Sequence, residues 1–227
     1  MNNTTNDRLK IYFAGDLFDA KDLGGNFLLA QAIETASRGN YQVILPQNGE
    51  SEVTNRTSQS IRDADFEMLC NCDIILANFD GTDLDSGTVV EFCFAKMLDM
   101  PAVLLRTDFR DSGDKTLPDG EPWNLMCSHY PRTEMLYINA MMKYHECKKN
   151  CEFSMETITE FYSSIANEVV AALNKVVSQK SWLKESELRH QYQTAIKSMG
   201  GTMGKLLNDE QLSKITARKI HLNLYSK

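Results

Sequence analysis

The chain is 227 residues long, 42% of them hydrophobic and 24% charged, with a formal net charge of −7. These proportions exclude a disordered or fibrous chain, and the negative charge disfavours nucleic acid as a partner, because nucleic-acid binding depends on neutralising phosphates. No apolar stretch approaches the roughly 20 residues that cross a bilayer, and the opening sequence MNNTTNDRLK lacks the apolar core of a secretory signal. We therefore expect a cytoplasmic protein without a membrane partner, whose six cysteines are reduced thiols.

Strand and helix patterns alternate along most of the chain. Apolar runs predict strands at residues 9–15, 41–46, 73–79, 101–107 and 133–139. Helices are predicted at 26–39, with Gly39 as its end, at 58–72, with Ser58 or Ser60 as its cap, at 86–100 and at about 153–178. Apolar strands that alternate with helices indicate a parallel sheet covered on both faces. The predicted fold is a flavodoxin-like doubly wound α/β domain of about five strands.

The chain also divides by charge. Residues 180–227 contain nine Lys and Arg and four Asp and Glu, a local charge of +5, which leaves −12 for residues 1–179. The predicted organisation is a polar tail at 1–8, the α/β domain at 9–179 and a basic helical extension at 180–227, with helices at 178–191 and 205–221. The opposite charges of domain and extension motivate the hypothesis that the extension packs on a neighbouring subunit.

The loop and helix after the third predicted strand contain candidate catalytic residues. Asp85 lies in an acidic loop, Gly87 opens the helix, and Glu91 lies near the end of its first turn or two. Open α/β sheets bind ligands beyond the carboxyl ends of their strands, so Glu91 is expected to face the ligand cleft. The alternative is a surface glutamate near the helix start, where the positive end of the helix dipole attracts acidic side chains.

Two further segments supply suitable side chains. Asp65 lies on the preceding predicted helix, eight residues before Asp73, and Asn124 and Met126 follow Trp123 in a long loop. Carboxylates, an amide and a thioether can line a pocket for a flat heterocycle whose polar edges form hydrogen bonds. Clustered carboxylates would also raise one another's proton affinity by like-charge repulsion.

Four short motifs occur in order along the α/β domain. They are Ile11-Tyr12-Phe13-Ala14-Gly15, the eight-residue spacing of Asp65 and Asp73, Asp85-Ser86-Gly87-Thr88-Val89-Val90-Glu91, and Asn124-Leu125-Met126. Together they resemble the motifs of the nucleoside 2-deoxyribosyltransferases, over roughly residues 9–175. The resemblance does not extend to residues 180–227.

The resemblance implies a role for each matching residue. Glu91 would be the nucleophile that attacks the anomeric carbon, and Tyr12 would hold it in place. Asp65 and Asp85 would contact the base and the sugar. The resemblance further implies substrate binding by Asn124, Met126, Gly15, Gly87 and, after the second strand, Gln47 or Asn48.

The implied activity is transfer of a 2-deoxyribosyl group between nucleobases through a covalent glycosyl-glutamate intermediate, with retention of configuration. The implied partners are deoxynucleosides, free nucleobases and further copies of the chain. In this family Asn124 and Met126 would usually enter the site of a neighbouring subunit, so at least a dimer with shared sites is implied. Neither a cofactor nor a metal is required.

Two alternatives to this activity remain open. One is a nucleoside or nucleoside-monophosphate hydrolase that uses the same nucleophile. Its phosphorylated substrates are disfavoured by the first loop, where Asp16, Asp19 and Asp22 outnumber Lys21. The other is a non-catalytic flavodoxin-like nucleotide-binding module, because a fold alone does not define a function.

The remaining cysteines and histidines carry no predicted site. His145, Cys147 and Cys151 have the chemistry of metal ligands, but three donors without a second cluster favour a plain helix or loop start. Small core-filling side chains are predicted at Cys70, Cys72 and Cys93.

Overall fold

A computed structural model of the chain describes residues 8–49, 57–110, 120–148 and 154–227. Its strands are β1 (Leu9–Ala14), β2 (Tyr41–Ile44), β3 (Ile74–Asn78), β4 (Ala102–Arg106) and β5 (Thr133–Tyr137). Its helices are α1 (Ala20–Ala36), α2 (Pro46–Gly49), α3 (Ser58–Asn71), α4 (Ser86–Met97), α5 (Ala140–Lys148), α6 (Met155–Ser178), α7 (Glu185–Met199), α8 (Met203–Leu206) and α9 (Asp209–His221). Residues 1–7 of the predicted polar tail, and Cys151, lie outside the described residues.

The five strands form one parallel sheet in the order β2-β1-β3-β4-β5. This arrangement, with helices on both faces, confirms the predicted flavodoxin-like α/β fold. The chain runs from β1 outward to β2 and then crosses to β3 on the other side of β1. The carboxyl ends of β1 and β3 therefore flank the switch in strand order, which is where sheets of this kind bind ligands.

The two faces of the sheet are distinguished by the alternation of side chains along the strands. Ile11 and Phe13 of β1 pack in the hydrophobic cluster formed with α1 and α6. Tyr12 and Ala14 pack in the other cluster, with residues of α3 and α4. The same alternation continues in β3, where Ala77 belongs to the α3–α4 cluster. A residue's position along β1 or β3 thus decides on which face of the sheet its side chain lies.

The C-terminal extension packs on the α3–α4 side of its own chain. Leu188, Tyr192 and Ile215 are buried in the same hydrophobic cluster as Phe66 of α3 and Phe94 of α4. Burial of these side chains removes apolar surface from water and stabilises the attachment. The apolar side of the extension is therefore covered within one chain, whereas the sequence led us to the hypothesis of packing on a neighbouring subunit.

An ion pair and a backbone hydrogen bond, each to a buried aspartate, join the basic extension to the acidic domain. Arg218 of α9 contacts the carboxylate of Asp73, immediately before β3, at 2.9 Å. Asp99, in the turn before β4, accepts a hydrogen bond from the backbone N–H of Trp182 of the extension at 3.1 Å and, within the domain, one from Arg132 at 3.2 Å. Both aspartates lie at the amino ends of strands, so the extension is held at the edge of the sheet opposite the ligand-binding edge.

Several helix limits differ from the predicted ones. α1 begins at Ala20 rather than at residue 26, because the carboxylate of Asp19 caps it by accepting from the backbone N–H groups of Lys21 and Asp22. It ends at Ala36, before Gly39. Thr57, rather than Ser58 or Ser60, is the cap of α3, and the Ser60 side chain completes the capping box. The helix predicted from residue 178 begins at Glu185, and α5 was not predicted.

Within the described ranges, none of the helices combines the length and the apolar character that a membrane span requires.

Candidate active site

A hydrogen bond between Tyr12 and Glu91 forms the centre of the candidate site. The hydroxyl of Tyr12 donates to Oε1 of Glu91 at 2.5 Å. Tyr12 is fully buried on β1, and Glu91 is partly buried in the second turn of α4. Strand alternation directs Tyr12 toward α4, so the strand position and the helix start together create this contact.

The surroundings of Glu91 make its carboxyl group easier to protonate. Burial above all, with the negative charges of Asp65 and Asp85, raises the pKa of Glu91 to about 7, although the hydrogen bond from Tyr12 acts to lower it. Burial and the charge of Glu91 raise the pKa of Tyr12 well above its usual value. Tyr12 therefore remains a protonated donor, and Glu91 can change its charge near neutral pH.

Asp85 is fixed by the start of α4. Its Oδ2 accepts from the backbone N–H of Thr88 at 2.7 Å and from the Thr88 hydroxyl at 2.9 Å, which makes Asp85 the N-cap of the helix. A Cβ atom at Gly87 would lie 3.0 Å from the same oxygen, so glycine leaves room for this carboxylate. The motif thus orients Asp85, and Thr88 is a positioning residue that the sequence analysis missed.

Asp65 approaches the same site from α3. It is partly buried, and its charge acts on both Tyr12 and Glu91. The structure therefore brings together the four residues that the sequence analysis named as catalytic: Tyr12 from β1, Asp65 from α3, Asp85 from the start of α4, and Glu91 from its second turn. Glu91 and the two aspartates whose charges act on it can stabilise positive charge and can exchange protons.

Gly15 and Gln47, the predicted substrate-binding residues after β1 and β2, lie near the ligand-binding edge of the sheet. A Cβ atom at Gly15 would lie 3.2 Å from Cβ of Asn78, so glycine allows the ends of β1 and β3 to approach closely. Gln47, in α2, donates through Nε2 to the carbonyl of Leu23 at 3.1 Å, and its Oε1 is buried without a hydrogen-bond partner among the described residues. Gln47 is thus tied to α1 and keeps one acceptor available.

Asn124 and Met126 lie apart from Tyr12 and Glu91 in the single chain. They line a groove of about 620 Å³ beside the start of α4, together with Val90, and the lining of this groove does not include Glu91. The side chain of Met126 is 70% exposed. Asn124 accepts from the backbone N–H of Met126 at 3.0 Å, which fixes the short 3₁₀ turn at Leu125–Cys127.

Other polar side chains at the ends of β1 and β3 were not assigned to a site from the sequence. Asp80 accepts from the Thr107 hydroxyl at 2.7 Å and from the backbone N–H of Asp108 at 2.8 Å, and so joins the loops after β3 and β4. Burial and the charges of nearby aspartates, Asp85 first among them, raise the pKa of Asp16. Their positions directly after strands are the signal that could have identified them.

The geometry defines a class of protein. It is a flavodoxin-like α/β protein in which a glutamate hydrogen-bonded to a tyrosine lies with two aspartates at the switch in strand order. The family model described as nucleoside 2-deoxyribosyltransferase matches residues 11–126, slightly more than half of the 227 residues. The matched segment includes Tyr12, Asp65, Asp85 and Glu91. The chain belongs to the nucleoside 2-deoxyribosyltransferase family.

Several solved structures are similar to the chain. A conserved protein from Enterococcus faecalis V583 is 21% identical, with 74% of this chain and 98% of that chain covered and a TM-score of 0.46. A 2-desoxiribosyltransferase from Leishmania mexicana is 21% identical, with 56% and 89% covered and a TM-score of 0.44. A 2-deoxyribosyltransferase from Bacillus psychrosaccharolyticus is 22% identical, with 44% and 74% covered and a TM-score of 0.39. No curated protein matches the chain.

Proposed function

We propose that the protein transfers a 2-deoxyribosyl group from one nucleobase to another, with Glu91 as the nucleophile. The observation that carries this proposal is the hydrogen bond from buried Tyr12 to Glu91, on which the charges of Asp65 and Asp85 also act. All four residues lie in the segment that matches the family. Deoxynucleosides and free nucleobases are the corresponding substrates.

The reaction proceeds in two displacements at the anomeric carbon. In the first, a carboxylate oxygen of Glu91 bonds to C1′ while the bond from C1′ to the base nitrogen breaks, and a proton from Asp65 or Asp85 neutralises the departing base. In the second, a nitrogen of the incoming base bonds to C1′, the ester to Glu91 breaks, and the base proton returns to the aspartate. Two inversions restore the starting configuration.

The surroundings of Glu91 suit this chemistry. The hydrogen bond from Tyr12 occupies Oε1 and leaves Oε2 for the reacting carbon. A pKa of about 7 keeps a substantial fraction of Glu91 ionised at neutral pH. A partly buried carboxylate also interacts more strongly with the positive charge that develops on the sugar than one in water would.

We propose further that a neighbouring subunit completes each site with its own Asn124 and Met126. The support is the exposure of an apolar surface around these residues, with Met126 70% and Val90 52% exposed. Apolar exposure of this kind marks interaction surfaces.

Light scattering of the purified protein is expected to give at least a dimer, and Met126→Glu is expected to weaken assembly and base exchange together. A monomeric, fully active wild-type protein would contradict shared sites.

Product analysis tests the reaction class. A deoxynucleoside is incubated with and without a second free base, and the products are separated by liquid chromatography. We expect a new deoxynucleoside to form only when the second base is present, with little free deoxyribose, because a closed site lets the base compete with water. Release of free sugar at the same rate with and without added base would instead identify a hydrolase. A set of purine and pyrimidine acceptors gives the base preference in the same assay.

A further inference from the structure

A second cavity lies at the same edge of the sheet, on the face opposite Glu91. Its volume is about 280 Å³, and its lining includes Asp16, Asp22, Asn78 and Tyr162. Alternation along β3 separates it from the candidate active site. Ala77 packs in the α3–α4 cluster, so the next residue, Asn78, faces α1 and α6. The cavity is therefore bounded by α1, α6 and the ends of β1 and β3.

The lining of this cavity carries uncompensated negative charge. Among the described residues, it contains the carboxylates of Asp16, Asp22 and Asp80 and one cation, Lys21, whose Nζ lies 3.7 Å from Asp19. Asp80 is already engaged by the loop after β4. Among the described residues no ion pair reaches Asp16 or Asp22. Burial raises the pKa of Asp16, as do the charges of Asp85, outside the cavity lining, and of Asp22 and Asp80 within it.

A buried hydrogen-bond acceptor in the cavity lining independently indicates a ligand with a hydrogen-bond donor. The Oδ1 atom of Asn78 is buried and has no hydrogen-bond partner among the described residues. Buried polar atoms of this kind normally have a partner, so an N–H donor in the cavity would satisfy it. The rings of Phe161 and Tyr162, with centroids 5.3 Å apart, form an aromatic wall. Aromatic rings attract organic cations through their negative faces.

We propose that this cavity binds a small organic cation that carries a primary ammonium group. The ammonium would donate to Asp16, Asp22 and the Oδ1 atom of Asn78, and the carbon skeleton would contact the ring of Tyr162. The volume of about 280 Å³ lies just below the usual range of ligand pockets, roughly 300–1,000 Å³, which favours a compact ligand. In the described part of the chain no three His, Cys, Asp or Glu side chains are arranged to hold a metal ion, so an organic cation fits better than a metal. The proposal does not depend on base exchange.

Isothermal titration calorimetry at constant ionic strength tests the proposal, with 1,4-diaminobutane as the probe. We expect the diamine to bind with one-to-one stoichiometry and 1,4-butanediol, its uncharged analogue, to give no binding heat. Asp22→Asn and Asn78→Ala are each expected to weaken diamine binding at least about fivefold, because each removes an acceptor or a charge from the cavity. Asp83→Asn makes the same charge change at an exposed position outside the cavity and is expected to keep the wild-type affinity.

Several results would overturn the proposal. They are equal affinity for diamine and diol, unchanged diamine affinity in Asp22→Asn, and displacement of the diamine by equimolar magnesium chloride, which would indicate a metal site. Glu91→Gln is expected to bind the diamine as the wild type does, and a loss there would place the cation in the candidate active site instead. Circular dichroism establishes that the variants are folded. If Asn78→Ala fails to fold, the comparison of diamine affinity between Asp22→Asn and Asp83→Asn decides whether the diamine binds in this cavity.

Discussion

Glu91→Gln is expected to lower the rate of base exchange at least about 10³-fold, which corresponds to about 4 kcal/mol of activation free energy. The amide keeps the shape of the side chain and still accepts the hydrogen bond that Tyr12 donates at 2.5 Å. It cannot form the ester with C1′ that the proposed mechanism requires. Initial exchange rates measure the loss. Mass spectrometry of the acid-quenched protein is expected to show a deoxyribosyl adduct in the wild type and none in the variant.

A neighbouring glutamate provides the matched control. Glu67 on α3 is also partly buried, and burial raises its pKa as it does that of Glu91. Because Glu67 has no place in the proposed mechanism, Glu67→Gln is expected to exchange bases at nearly the wild-type rate and to form the adduct. An adduct in Glu91→Gln, or exchange at the rate of Glu67→Gln, would show that another group is the nucleophile.

The sheet could be predicted because its strands are buried on both faces. The run at residues 73–79 is apolar without alternation, and in the structure Ile74–Asn78 is a central strand with helices on each side. Local hydrophobicity alone therefore fixed the position of β3. The alternation of strands with helices predicted a parallel sheet covered on both faces, whereas the strand order β2-β1-β3-β4-β5 comes from the structure.

Helix limits were less predictable because they depend on single side chains and on distant partners. Gly24 and Gly25 interrupt the helical pattern at residues 20–26, yet α1 runs through both. A Cβ atom at Gly25 would lie 3.3 Å from the hydroxyl of Tyr162, so contact with α6 favours glycine there. Periodicity within α1 gives no information about Tyr162. The ion pair between Arg218 and Asp73, which attaches the extension, likewise joins residues far apart in sequence, so local patterns give no information about it.

The candidate site was predictable where motif and topology agree. Tyr12 and Glu91 are far apart in sequence, but β1 pairs with β3, so the start of α4, which follows β3, lies beside β1 at the switch in strand order. Asn124 and Met126 line a groove along α4 whose lining does not include Glu91. Asn78 gave no signal, because a single amide at the end of an apolar strand is also a common turn residue.

Tyr12→Phe is expected to lower base exchange at neutral pH about ten- to a hundredfold, since a hydrogen bond to a charged group contributes roughly 1.5–3 kcal/mol. It is also expected to change the pH dependence. Ionised Glu91 is the proposed nucleophile, and its pKa is about 7, so the wild-type rate should rise as pH increases through 7. The Tyr12 hydroxyl lowers this pKa by bonding to the ionised form. Without it the pKa rises, and the acidic limb of the rate profile moves to higher pH.

The ratio of wild-type to Tyr12→Phe rates should therefore be larger at pH 6 than at pH 9, where Glu91 is ionised in both proteins. Tyr41→Phe is the matched control, because Tyr41 is also buried and its hydroxyl donates to Asn174 at 2.7 Å on the other face of the sheet. We expect its rate profile to keep the wild-type acidic limb. A uniform loss of rate in Tyr12→Phe, with the limb unmoved, would mean that Tyr12 only supports the fold around Glu91. A displaced limb identifies the hydroxyl as the group that adjusts the charge of the nucleophile.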